Sequence, residues 1–194
     1  MRDRAPLCKT CTARSPCYKK IVRFRADVLP IPPEVQAEMT GASWRPDPRC
    51  PAWPALALLR MNHWGFDGAL HDGELVVAAA VASDVASAFE RIFAARFPIQ
   101  RMVRIDAYGG DDNASMEANN TSGFNFRTIA GLDALSLHSF GTAIDINPAQ
   151  NPYIGRGGVM PPAAAAYLDR DDVRPGMLVR PGPVIEAFES IGWE

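Results

Sequence analysis

Histidine is scarce in this chain: of 194 residues only His63, His71 and His138 carry an imidazole, so any chemistry that needs one has three places to be. Cysteine is nearly as rare. Cys8, Cys11, Cys17 and Cys50 include one C-x-x-C pair, and no second pair completes a four-cysteine zinc ribbon. A structural zinc, a disulfide and unpaired thiols all stay open, the thiols being the simplest. No apolar run approaches the ~20 residues of a membrane span; Ala55–Leu59 and Leu75–Ala82 are the longest. Met1–Lys20 has the basic start of a secretory signal without its apolar middle. No internal repeat is present, and the one low-complexity tract is Ala163–Ala166. Basic charge is sparse outside the start of the chain. Residues 1–25 hold eight Lys/Arg and one acid, Asp3, whereas the rest hold twelve bases and twenty-one acids. An acidic body lacks the basic face of a nucleic-acid binder, so no nucleic-acid partner is expected.

What the chain does have is 17 prolines and 15 glycines, which disfavour an all-helical bundle. Its organisation reads as a basic, Cys-containing arm over residues 1–20 and one domain over 21–194. Loose alternation makes Ile21–Val28 a first strand, and Pro33 opens a short helix to Met39. Gly41–Pro54 reads as an aromatic-packed loop, Ala55–Met61 as a helical turn or two, His63–Gly73 as turns, and Glu74–Ala79 as a strand. Val81–Phe97 is the strongest helix, with Val81, Val85, Ala88, Phe89, Ile92, Phe93 and Phe97 on one face. Arg101–Tyr108, Phe124–Ile129 and Thr142–Asn147 read as strands, with Gly109–Gly123 a long polar loop between the first two. Pro161–Leu168 and Pro183–Ile191 read as proline-opened helices. Phe89, Ile92 and Phe93 are expected against a sheet containing Val103, Ile105, Ile144 and Ile146. Runs of strands with irregularly placed helices give an α+β class: a small, mostly antiparallel sheet with helices packed on one side.

The chemistry-bearing stretch is Ser136-Leu137-His138-Ser139-Phe140-Gly141-Thr142-Ala143-Ile144-Asp145. Gly141, the β-branched run and Pro148 exclude a helix carrying both His138 and Asp145. A turn at His138, reversed by Gly141, would instead send Asp145 back toward the imidazole. Imidazole plus carboxylate is a normal pair of zinc ligands; a hydrogen-bonded loop pair is the plainer alternative.

This stretch resembles the S-x-H-x-x-G-x-A-x-D signature of the zinc D-alanyl-D-alanine carboxypeptidase and L-alanyl-D-glutamate endopeptidase family. The resemblance continues in Met39-x-Gly41-x-Ser43-Trp44, Gly65-Phe66-Asp67-Gly68, Gly73-Glu74-Leu75-Val76-Val77 and Phe97-Pro98-Ile99. It extends through Asn119-Asn120-Thr121-Ser122-x-Phe124-Asn125-x-Arg127 and Asp145-Ile146-Asn147-Pro148-x-x-Asn151-Pro152-Tyr153, covering roughly Ile21 to Trp193. It implies a Hedgehog/DD-peptidase-like fold and a Zn2+ cofactor held by His138 and Asp145. It also implies Ser136 and Ser122 as substrate-binding residues and Arg127 as a catalytic residue that stabilises an oxyanion or grips a carboxylate. For Arg127 a strand-end salt bridge, and for the serines a turn hydroxyl bonded to its own backbone, are the plain structural alternatives. Asp111, Asp112 and Glu117 read as a solvated loop, with a place beside the cleft as the alternative.

The implied activity is hydrolysis of peptide bonds in peptidoglycan stem peptides, either between D-Ala residues or between L-Ala and D-Glu. Its rival is a non-catalytic cell-wall-binding or interaction domain on the same fold. A monomer with no membrane span is expected. The cell envelope or the outside of the cell follows from the resemblance; a phage lysin or a cytoplasmic enzyme follows from the missing signal pattern. The family supplies its third ligand and general base from a D-x-x-H or E-x-x-H segment after a Gly-Trp stretch. Here Gly192-Trp193-Glu194 is reached with no further histidine. Three readings follow: those residues lie beyond Glu194, His63 or His71 substitutes, or the chain is a non-catalytic relative.

Overall fold

Leu56–Trp64 is buried along most of its length and forms the central strand of a three-stranded antiparallel sheet. It was located in a computed structural model of the chain, which describes residues 22–129, 131–155 and 157–194. The readings of Cys8, Cys11, Cys17 and the basic arm fall outside these residues. The sheet runs β1 (Ala26–Pro30), β2 (Leu56–Trp64), β3 (Leu70–Ala78), with Leu59 opposite both Val28 and Leu75.

The β2 stretch corrects the expected helical turn at Ala55–Met61. Leu and Ala favour helices, but this strand is covered on both faces, so its apolar run is continuous and shows no alternation. Alternate residues Ala57, Leu59, Met61, Leu75 and Val77 face α2 (Ala82–Ala94) and α4 (Pro183–Glu189). Leu56, Leu58 and Val76 face the other way, onto Val35 and Met39 of α1 (Pro33–Met39) and onto Phe124 and Phe126. The molecule is therefore α+β, with its two larger helical contacts on one face of the sheet.

Helix α2 buries Val85, Ala88, Phe89 and Ile92. Phe89 meets Phe188 of α4 edge-on at 6.0 Å between centroids, an arrangement suited to the quadrupoles of the two rings. Phe93 is half-buried and stacks on Trp64 instead. The expected partners of this helix need correcting. Ile146 does join its core and Ile144 packs at the margin, but Val103 and Ile105 belong to no strand. Only Arg101 of that stretch makes a bridge, to Asn120, and Ile105–Tyr108 is a 3₁₀ turn. Arg104 explains the difference. It leaves sheet geometry to meet Glu74 at 2.9 Å, Asp106 at 3.1 Å, and Glu38 of α1. Charge pairing has overridden alternation.

The outer edge of β3 positions the functional region. Its edge groups are taken by three separate segments: Glu74 N–H donates to Met102 O (2.9 Å), Phe124 N–H donates to Val76 O (2.8 Å), and Ala78 N–H donates to Gly141 O (2.9 Å). The expected strands Phe124–Ile129 and Thr142–Asn147 are extended segments held by single bridges, Thr128 to Leu135 and Ser122 to Asp145. The expected loop Gly109–Gly123 contains α3 (Asp112–Glu117), started by Asp111, whose carboxylate accepts from Asn113 N and Ala114 N. Tyr153–Gly155 and Gly158–Met160 form a small hairpin, β4–β5. Among the described residues no helix is long and apolar enough to cross a membrane.

Candidate metal centre

Leu137–Phe140 forms a 3₁₀ turn capped by Ser136, whose hydroxyl oxygen accepts from His138 N at 3.3 Å. Gly141 ends the turn at φ +68°. A Cβ there would stand 2.4 Å from Ala78 N, so only glycine lets the turn close against β3. The chain then returns, and Ser122 and Asp145 exchange backbone hydrogen bonds of 3.0 and 2.9 Å. Gly123 sits as tightly under β3, where a Cβ would lie 2.4 Å from Val76 O. These two close approaches bring His138 and Asp145 together, with Nε2 and Oδ2 3.3 Å apart.

The imidazole is oriented from behind. His138 Nδ1 lies 2.6 Å from the carbonyl oxygen of Gly123. A carbonyl only accepts, so Nδ1 carries a hydrogen and Nε2 is the nitrogen turned toward Asp145. A proton on Nε2 or a cation between the two groups can join them. Donors ~2.0–2.2 Å from a tetrahedral zinc are separated by about 3.3–3.6 Å, and the observed spacing falls at the close end of that range. A histidine whose second nitrogen is held by a backbone carbonyl is also the usual outer support of a zinc ligand. The donor pair thus fits two zinc positions. Among the described residues no group of three or more His, Cys, Asp and Glu is arranged to hold a metal ion.

Burial pushes the Asp145 carboxyl above its ordinary value; His138 and Arg127 oppose the rise, and the carboxylate of Asp112 adds to it. Arg127 lies close by, its Nη2 2.7 Å from Asp112 Oδ2. Its backbone is fixed by Ser139, whose hydroxyl accepts from Arg127 N at 3.0 Å and donates to Arg127 O at 2.7 Å. Ser122 and Ser136 are both buried beside the pair. Ser136 still has its O–H to donate, since capping uses only a lone pair.

His63 and His71 do not join this group. They face each other across β2 and β3 with ring centroids 5.7 Å apart, and His71 Nε2 lies 3.0 Å from Asp67 Oδ1. Among the described residues neither forms a three-donor group with His138 and Asp145. The asparagines of the quoted segments are anchors. Asn147, at φ +47° and fully buried, accepts from Gln100 N and donates to Pro98 O. Asn120 accepts from Val103 N and donates to Val103 O. Sequence reasoning reads Asp112 as part of a solvated loop, with a place beside the cleft as the alternative; the signal for its helix is an N-capping Asp111 followed by a short helix-forming run. The Gly123 carbonyl had no sequence signal, because it acts through the backbone.

Residues 130–194 match a family model described as D-alanyl-D-alanine carboxypeptidase. The match covers the C-terminal third of the chain and includes Ser136, His138, Gly141 and Asp145. No curated protein and no solved structure gives a match. The match supports a peptidase, a hydrolase in general terms.

Proposed function

We propose that this chain is a zinc peptidase domain of Hedgehog/DD-peptidase-like fold that acts on peptidoglycan stem peptides, at a D-Ala–D-Ala or an L-Ala–D-Glu bond. The observation that carries the reading is the approach of His138 Nε2 and Asp145 Oδ2 to 3.3 Å, with Nδ1 held by Gly123. These two side chains would hold the metal. When bound, zinc would supply a Lewis acid beside the scissile peptide. Arg127 would hold a substrate carboxylate or the developing oxyanion, its fork suiting both. The Ser136 hydroxyl would donate to substrate, and Ser122 would border the same space.

The rival reading is a binding domain without turnover. It is favoured by the absence of a three-donor group among the described residues. Zinc titration against a chromophoric chelator, for the parent chain, His138→Ala and Asp145→Ala, tests the metal. Release of D-alanine and cleavage of a stem peptide test turnover. Equal zinc binding by parent and variants would refute the assignment. Zinc and peptide binding without cleavage would select the rival.

A further inference from the structure

Asp112 has no part in the reading so far, yet it is the carboxylate within ion-pair distance of the Arg127 guanidinium, at 2.7 Å. Both ends of this pair rest on fixed structure. Asp112 lies in the first turn of α3, which Asp111 caps and which Asn120 ties down through Ser115 Oγ at 3.0 Å. Arg127 hangs from a backbone held on both sides by Ser139. Between them the guanidinium has little else to orient it: its Nε is buried and has no hydrogen-bond partner among the described residues. The two side chains are 26% and 25% exposed, shielded enough for the pair to hold and open enough for a ligand to approach. A guanidinium offers five N–H donors in a planar fork, so a carboxylate paired with one amino group, as Asp112 is with Nη2, holds that end and leaves Nη1 for a second anion. Arg127 O accepts from Ser136 N at 3.0 Å and Arg127 N donates to Ser139 Oγ at 3.0 Å, residues on either side of His138, so the pair lies beside the proposed metal ligands.

We propose that Asp112 is a positioning residue, which aims the Arg127 guanidinium at a carboxylate of the stem peptide lying next to His138 and Asp145. The inference rests on the functional reading above. It excludes the opposite role, in which Asp112 blocks Arg127 and must be displaced by substrate.

The test is calorimetric binding to the full chain with Zn2+ present, so it does not depend on turnover. The probes are a synthetic stem pentapeptide ending in D-Ala-D-Ala, its C-terminal amide, and its analogue with the D-Glu α-carboxylate amidated. Asp112→Ala and the shape-preserving Asp112→Asn should each weaken binding of the free peptide by about two- to tenfold, the cost of ordering one long side chain. The effect should vanish for one of the two amidated peptides and in an Arg127→Ala background. Tighter or unchanged binding in both Asp112 variants would overturn the proposal. So would a loss that persists on both amidated peptides, or one that adds fully to Arg127→Ala. A parent chain that binds no peptide would instead overturn the functional reading itself.

Discussion

Two histidine–aspartate pairs occur among the described residues, and they are opposite in kind. Asp67 lies on the turn between β2 and β3 and His71 near the start of β3, with Nε2 3.0 and 3.1 Å from the two carboxylate oxygens. Both side chains are about half exposed, and the carboxylate also accepts from Ala69 N. Each group is satisfied, and the hydrogen bond to His71 holds the Asp67 carboxyl below its ordinary value. His138 and Asp145 are more enclosed and less satisfied. Nδ1 is committed to Gly123, Nε2 and Oδ2 stand 3.3 Å apart, and burial raises the carboxyl. A pair that completes itself stabilises a turn. A pair held in position but incomplete is the one proposed here to take up a cation.

The strongest way to break this comparison is to remove one member of each pair and measure metal. Loss of a residue that merely supports a ligand costs ~10–100-fold in affinity, so His138→Ala and Asp145→Ala should each weaken zinc by more than about 100-fold. His71→Ala and Asp67→Ala should leave zinc affinity where it was. Equal losses from the two pairs, read by chelator competition, would erase the distinction.

Next in size is the backbone that brings the incomplete pair together. Gly141→Ala must place a Cβ at φ +68° and 2.4 Å from Ala78 N. Left-handed geometry alone costs roughly 1–2 kcal/mol, and the clash adds to it. Urea unfolding should show a loss of about 2 kcal/mol or more, with zinc affinity falling in parallel. Gly68→Ala, near the other pair, also has positive φ, but nothing lies within 4 Å of its Cβ. It should cost only the conformational part.

How much of this was legible in the sequence follows the same division. The turn at Gly141 and the return of Asp145 toward His138 were readable, because glycine, β-branched residues and Pro148 restrict the backbone locally. Helix α2 was readable from its 3.6-residue period. The strand β2 was not, since burial on both faces removes the alternation that betrays a strand, and its Leu and Ala content favours helix. The Arg101–Tyr108 stretch alternates, yet Arg104 is drawn out of register by Glu74, Asp106 and Glu38, partners distant in sequence. The pairing of Asp112 with Arg127 and the Gly123 carbonyl were not legible for a related reason: each contact is made only when separate segments meet along β3.

A third test uses acid. His63 is buried beside His71, and burial, reinforced by the charge of His71, pushes its pKa below 6.5, against the pull of the Trp64 carbonyl. Above that value the ring is neutral in folded and unfolded chains and contributes no pH dependence. Below it the unfolded chain takes up a proton that the folded chain refuses, so stability falls with pH until the lowered folded value is passed. Urea midpoints measured from pH 7.5 down to 5 should decline, and His63→Gln should flatten the decline. An unchanged slope in that variant would assign the effect to other groups.

The smallest effect is expected where the self-sufficient pair is cut. His71 and Asp67 face water, and exposed ion pairs gain little because solvent and salt screen them and two side chains must be held still. The turn has a second support: Gly65 N–H donates to Ala69 O at 2.9 Å and Gly68 N–H to Gly65 O at 3.0 Å, both independent of the side chains. His71→Ala should therefore shift the unfolding midpoint by less than about 2 °C. Asp67→Ala removes the carboxylate that also accepts from Ala69 N, so it should shift the midpoint slightly more than His71→Ala. If the order is reversed, or if His71→Ala costs as much as Gly141→Ala, then His71 is holding the hairpin through its stacking on His63 rather than through Asp67, and the pair is not complete in itself.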